Sequence, residues 1–212
     1  MPHYDAVEFT QAAPRHSGPG RPREESYNDL ILDTVHRLIS EGTPVTIRGV
    51  VKASGVSRTA IYRRWSSVHE LVAASLDRGR ANLTYTFHGP IRLALKDIFY
   101  RRVNEAIGPD YTDRDFRKHV ELMMGNRQLQ QAYWDNFASR RLDRVVDALR
   151  LARKYGEIDA SDEDIEAATD ALYGIGLFQM TVRGISFDDP EALRRGEQFF
   201  DILWRGLGGK AE

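Results

Sequence analysis

A short segment near residue 60 carries side chains that could read the base edges of duplex DNA. An Arg can donate two hydrogen bonds to guanine, and a Thr or Ala can contact the methyl group of thymine. A Tyr hydroxyl, or a Ser at a helix start with its free backbone N–H, can bind a phosphate. In a helix here, Ile61 and Trp65 lie four residues apart and form the inward pair. The residues predicted to face DNA are Ser57, Arg58, Thr59, Ala60, Tyr62, Arg63 and Arg64.

The charge of the chain is unevenly distributed. Its 212 residues have a formal net charge of −1, yet the window Gly42–His69 contains five basic residues and no carboxylate. Such a run alone is equally compatible with a solvated surface. Upstream, Arg21 and Arg23 lie in the sequence HSGPGRPR, whose Gly and Pro favour an extended chain that can place two guanidinium groups in a narrow minor groove. We therefore predict that residues 1–22 form a flexible basic arm.

Three short helices must position these side chains. Apolar residues recur at helical spacing from about Glu24 to Glu41, which predicts a first helix. Thr46 can cap a second helix and Ser57 a third, and Gly55 suits the tight turn between them. Two short helices joined by a Gly-containing turn form a helix-turn-helix. We predict that residues 23–70 are a DNA-binding domain of this type.

The run from Thr46 to Leu76 resembles the signature of the tetracycline-repressor-like (TetR) family of bacterial transcription regulators. The motifs that carry the resemblance are Gly55-Val56-Ser57 and the Tyr-x-x-aromatic step from Tyr62 to Trp65. With the first helix, the detailed match covers roughly residues 24–76. Val51 and Val68 depart from the family pattern, in which a small Ala and a Lys are usual.

The resemblance implies DNA contacts on three helices. Beyond the third helix, it assigns contacts to the second helix and to the start of the fourth. The additional residues are Thr46, Arg48 and His69. It also implies an all-α fold in which the three-helix domain is followed by a larger helical domain for ligand binding and dimerisation, here residues 71–212.

The later helices include one with two apolar stripes. A mostly small-residue stripe lies beside a larger one on the predicted helix Glu163–Val182, so one face could pack on its own domain and the other on a second copy. The alternative is a doubly buried core helix in a monomer. The residues predicted to form a homodimer interface are Ala167, Ala171, Gly174, Phe178, Phe199, Leu203 and Leu207.

Aromatic and Met side chains in the larger domain could line an apolar pocket between helices. Each of them could instead pack the core, and the resemblance implies that some surround an effector. No convergent charges identify that molecule, so we expect a small lipophilic or aromatic effector. The candidates are Phe99, Phe116, Met123, Met124, Trp134, Phe137 and Tyr173.

Other functional classes lack their sequence signals. The chain has no Cys and no pair of His at i, i+4, and its Gly174-Ile175-Gly176 lies inside a predicted helix. We therefore expect no catalytic residues, no metal, no cofactor and no enzyme activity. The longest uncharged stretch, Ala171–Val182, is too short to cross a membrane. Absence of Cys and of a secretory pattern at the N-terminus favours the cytoplasm, which the resemblance implies to be that of a bacterium.

These observations predict a homodimeric DNA-binding regulator. The expected mode of action is repression at a palindromic operator, released by a small-molecule effector. The alternative is a helical small-molecule-binding or scaffold protein without operator recognition, for which Val51 and Val68 leave room.

Overall fold

The structure, a computed structural model, is almost entirely helical. It describes residues 7–10, 22–78, 84–87, 89–102, 111–186 and 188–210. The helices are α1 (Pro22–Ser40), α2 (Ile47–Ser54), α3 (Arg58–Tyr62), α4 (Val68–Asp77), α5 (Ile91–Lys96), α6 (Asp113–Gly125), α7 (Arg127–Tyr133), α8 (Ser139–Lys154), α9 (Asp162–Thr181) and α10 (Pro190–Gly206). Two π-helical segments, Asp97–Arg101 and Trp134–Ala138, continue α5 and α7. The predicted all-α fold with an N-terminal helix-turn-helix is confirmed.

Two short strands form an antiparallel ribbon that the sequence analysis did not predict. Strand β1 (Val7–Thr10) pairs with β2 (Thr84–Phe87), with Val7 opposite Phe87. The first strand lies inside the segment predicted to be a flexible arm, so that prediction is wrong for residues 7–10. The backbone bonds of this ribbon join residues 74 to 80 positions apart, a pairing that four-residue patterns cannot specify.

The described residues form two compact units. The helix-turn-helix unit contains residues 22–78 and 111–139, and the C-terminal unit contains residues 7–10, 84–87, 89–102, 140–186 and 188–210. These units do not follow the boundary predicted between residues 70 and 71. Leu71 and Leu76 of α4 are buried in the same cluster as Leu129 and Tyr133 of α7, because their apolar faces meet there. As a division of function, the boundary at residue 70 stays a prediction.

The helix-turn-helix unit is built around a cluster of fully buried aliphatic side chains. Ile31 and Val35 come from α1, Val50 from α2, Ile61 from α3 and Leu71 from α4. Each of these helices therefore turns its apolar stripe towards the others, and its polar face points outward.

In the core of the C-terminal unit, the backbone of α10 approaches the ring of Tyr100 closely. Phe200 and Trp204 of α10 stack with ring centroids 5.6 Å apart. One turn earlier on α10, Gly196 leaves room for the ring of Tyr100, which is buried and lies edge-on to Phe200. Burial raises the pKa of the Tyr100 phenol well above its ordinary value.

Replacing Gly196 by Ala is expected to destabilise the C-terminal unit. The added Cβ would lie 2.8 Å from Cδ1 of Tyr100 and still closer to Cε1, which is well inside van der Waals contact. Overpacking a core costs about 1–3 kcal/mol, which outweighs the gain of about 1 kcal/mol from replacing a helical Gly by Ala. Gly206→Ala is the matched control, since nothing lies within 4 Å of its added Cβ. Calorimetry should show a lower Tm for Gly196→Ala only; an unchanged or higher Tm would contradict the close approach.

Candidate nucleic-acid interface

The turn between α2 and α3 depends on a glycine. Gly55 has φ +72°, a left-handed conformation in which a side chain would be strained, and its N–H donates to the Val51 carbonyl at 2.9 Å. Val56 follows it and is buried. At the other end of α2, the Thr46 hydroxyl accepts a hydrogen bond from the Gly49 N–H at 3.0 Å. The turn and cap together set the direction in which α3 starts.

Helix α3 presents most of the predicted DNA-facing residues to solvent. Ser57 caps it by accepting from the Ala60 N–H at 3.2 Å. Ile61 is fully buried and Trp65 is half-buried against the same core, so the opposite face of α3 points outward. Ala60 is half-buried. The exposed members of the predicted set on this segment are Ser57, Arg58, Thr59, Tyr62 and Arg63.

Two exposed side chains of α3 contact each other. The guanidinium of Arg58 lies over the ring of Tyr62, with its carbon 5.3 Å from the ring centroid. Its Nη2 donates to the Tyr62 hydroxyl at 3.4 Å. Because Arg58 and Tyr62 are one helical turn apart, the pair lies along the outward face and limits the positions that the guanidinium can adopt.

The remaining predicted DNA contacts lie in different environments. Thr46 and Arg48 are exposed at the start of α2, and His69 is half-buried in the first turn of α4. Arg21 lies outside the described residues. The backbone of Arg23 belongs to the first turn of α1, not to an extended segment, because Pro22 occupies the first helical position, where its fixed φ suits the helix.

Arg64 differs from the other predicted DNA-facing residues. Its Nε donates to the Oδ1 of Asn28 on α1, and its Nη1 donates to the Ala60 carbonyl at 2.8 Å. The side chain is half-buried and bound to its own protein. Sequence reasoning did not single out Asn28, since the two residues are 36 positions apart and no short motif joins them.

The predicted effector-pocket residues are divided between the two units. In the C-terminal unit, Phe99 and Tyr173 make an edge-to-face contact with centroids 5.5 Å apart. In the helix-turn-helix unit, Met124 is 79% exposed and Trp134 48% exposed. The other three pack within the helix-turn-helix unit: Phe116, Met123 and Phe137.

Most of the predicted interface residues on α9 and α10 are accessible. Ala167, Gly174 and Phe178 are exposed. Partial exposure is shared by Ala171, Phe199 and Leu203. Leu207 does not fit this set, because it is 5% exposed and packs in the core of the C-terminal unit beside Trp204.

Three further apolar side chains at the end of α9 and on α10 are exposed. The predicted interface set did not include Leu177, Val182 and Ile202, which are 46%, 68% and 59% exposed. The guanidinium carbon of Arg183 lies over the ring of Phe178, 5.6 Å from the ring centroid.

The described residues contain no cluster of three or more His, Cys, Asp or Glu side chains that could hold a metal ion. A search of the same residues finds no helix with the length and apolar character needed to span a membrane.

Comparison with known proteins identifies the fold. No protein-family model and no curated protein sequence matches this chain. A protein from Mesorhizobium loti assigned to the TetR family of transcriptional regulators superposes with a TM-score of 0.54 and 15% identity, over 88% of this chain and 97% of that chain. The flavonoid-responsive regulator FrrA superposes with a TM-score of 0.52 and 18% identity, over 83% of this chain and 95% of that chain. The chain therefore has a TetR-like fold.

Proposed function

We propose that this protein is a transcription regulator that binds duplex DNA as a homodimer, with α3 in the major groove. The observation that carries the proposal is the accessible surface of α3, where Arg58, Thr59, Tyr62 and Arg63 are exposed while Ile61 is buried. In a helix-turn-helix, the second helix reads base edges and the first crosses the backbone. We propose that the protein binds DNA and catalyses no reaction. We also propose that it acts in the bacterial cytoplasm.

The electrostatics of α2 and α3 support phosphate binding. The window Gly42–His69 contains no carboxylate. Within the part of the chain that the structure describes, Arg48, Lys52 and Arg58 make no ion pair with a carboxylate, although other Arg and Lys side chains do. These cations keep their charge available for a polyanion, which is the sequence-independent part of DNA affinity.

The exposed face of α9 supports a homodimer. Leu177, Phe178 and the C-cap residue Val182 are exposed near the end of this helix, and neighbouring exposed apolar side chains are typical of an interaction surface. Two linked reading helices raise affinity through effective concentration, and a two-fold dimer selects half-sites about 34–36 Å apart or a multiple of that spacing. A palindromic operator follows from this symmetry.

The aromatic cluster of the C-terminal unit supports an effector site there. Phe99 packs against Tyr173, and the buried Tyr100 hydroxyl has no hydrogen-bond partner among the described residues. A lipophilic or aromatic molecule with a polar substituent would match these groups, and FrrA is described as flavonoid-responsive. We propose that such an effector releases the protein from a repressed operator, with a coupling of about 1–3 kcal/mol between the two sites.

Purified protein should select DNA fragments that share a two-fold symmetric motif. If each subunit neutralises about four phosphates, log affinity should fall with log salt at a slope of about −7. Sequencing of fragments retained from a randomised duplex library identifies the motif, and titration at several salt concentrations gives the slope. Recovery of random fragments, or of none, would instead favour a helical ligand-binding or scaffold protein without operator recognition.

Arg58→Ala should reduce discrimination between the selected motif and its single-base variants. Loss of a bidentate guanine contact costs about 1–3 kcal/mol of discrimination at that base pair. Fluorescence anisotropy with the variant duplexes measures this discrimination. The control is Lys154→Ala, which removes an exposed cation from the last turn of α8. Unchanged discrimination would remove Arg58 from the residues that read bases.

Phe178→Glu should dissociate the dimer. The ring is 44% exposed in the single chain, so a carboxylate can be solvated there in a monomer, whereas in an interface it would be buried without a partner. Light scattering after size-exclusion chromatography measures the mass. Met124→Glu, at a 79% exposed position of the helix-turn-helix unit, is the control. A dimeric Phe178→Glu variant would exclude this face as the interface.

A further inference from the structure

The contact between Arg64 and Asn28 gives Arg64 a role different from that of its neighbours. We propose that Asn28 and Arg64 are positioning residues that fix the end of α3 on α1, so that the outward face of α3 meets the groove at one angle. The proposal rests on the proposed DNA-binding function and adds to it a residue, Asn28, that lies outside the recognition motif. Neither side chain needs to contact DNA for this role.

The backbone at the end of α3 explains why a side chain is needed there. An α-helical bond would join the Arg64 N–H to the Ala60 carbonyl, but this N–H donates instead to the Ile61 carbonyl at 3.0 Å. The Ala60 carbonyl accepts the Arg64 guanidinium at 2.8 Å in its place. The side chain therefore caps the C-terminal end of α3, where the last carbonyls of a helix lack backbone partners.

The same guanidinium reaches a second helix. While Nη1 caps α3, Nε donates to the Asn28 side chain on α1. One rigid planar group thus joins the end of the reading helix to α1, a geometry that an ammonium group cannot reproduce.

A five-residue helix needs more than one attachment to keep its direction. Ile61 anchors the middle of α3 in the core, and the Arg64 contact holds its end. Binding groups must be held to within about 0.5 Å and 10–20° by their supporting residues. Loss of the contact should therefore affect specific binding, which requires this angle, more than non-specific binding, which does not.

Two variants that preserve net charge test the proposal. Asn28→Ala removes a neutral partner, and Arg64→Lys keeps the charge but not the planar group. The probe is the duplex of highest affinity selected by the wild-type protein from a randomised library, with a scrambled duplex for comparison. Each variant should bind the selected duplex about 10-fold more weakly, as expected for a lost hydrogen bond to a charged group. The double variant should be no weaker than the weaker single variant.

Salt dependence separates positioning from direct phosphate contact. Asn28→Ala and Arg64→Lys should leave the slope of log affinity against log salt at the wild-type value and should leave binding to the scrambled duplex unchanged. Arg48→Ala, which removes an exposed cation of α2 from each of the two subunits, should reduce the magnitude of the slope by about 1.8. Additive losses in the double variant, or wild-type affinity of Asn28→Ala, would overturn the proposal.

Hydrogen exchange provides a readout that does not depend on DNA. Amides of residues 63–65 should exchange faster in both variants, while amides of α1 keep their wild-type rates. Unchanged exchange rates at residues 63–65 would show that the contact between Asn28 and Arg64 does not hold the end of α3, and would overturn the proposal. If the wild-type protein selects no duplex, the proposed function fails, but the exchange rates still report on the contact between Asn28 and Arg64.

Discussion

Burial of Ile61 sets the geometry of the candidate interface. Helix α3 has five residues, and a helix of this length is not stable alone in water. Ile61 is fully buried in the same cluster as Val50 and Leu71, and burial of such a side chain contributes about 1.5–3 kcal/mol. Packing thus fixes the inward direction of α3 and leaves Arg58, Thr59 and Tyr62 exposed. Hydrophobic contacts inside the unit thus determine which side chains of α3 are accessible.

The helix-turn-helix unit is completed by a segment from the middle of the chain. Tyr133 of α7 is buried with Leu129 in the core of this unit, and its hydroxyl donates to the Asp77 carboxylate at 3.3 Å. His119 of α6 is also buried, and its ring lies edge-on to the Tyr133 ring, with the two ring centroids 4.5 Å apart. Because α4 and α7 share one core, a displacement of residues 111–139 would change the packing behind α3.

Local patterns in the sequence predicted the helices and their caps. Thr46 and Ser57 cap α2 and α3 as expected, and Gly55 forms the predicted turn, because each depends on a few consecutive residues. Contacts between distant residues were not predictable in this way. Arg64 was placed with the DNA-facing set because its spacing gives no sign of Asn28.

The same limit applies beyond α3. An amphipathic pattern shows that a helix has a buried face but not which partner covers it. Leu207 was expected at an interface for this reason, but it lies in the core of its own unit. For the same reason, α6 and α7 were assigned to the C-terminal domain, although they pack in the helix-turn-helix unit. The roles predicted for the DNA-facing residues remain predictions.

The distribution of charge explains how a chain with a net charge of −1 can present a cationic surface. In the helix-turn-helix unit, carboxylates of α1 and its C-terminal end bind cations from outside α2 and α3: Glu41 pairs with Arg37 at 3.2 Å, and Asp33 pairs with Arg78. Exposed pairs of this kind contribute only about 0–1 kcal/mol to stability. Their electrostatic effect is more important, because paired charges cancel over short distances. At a Debye length of about 10 Å, a phosphate near α3 responds to the window Gly42–His69 and not to the charge of the whole chain.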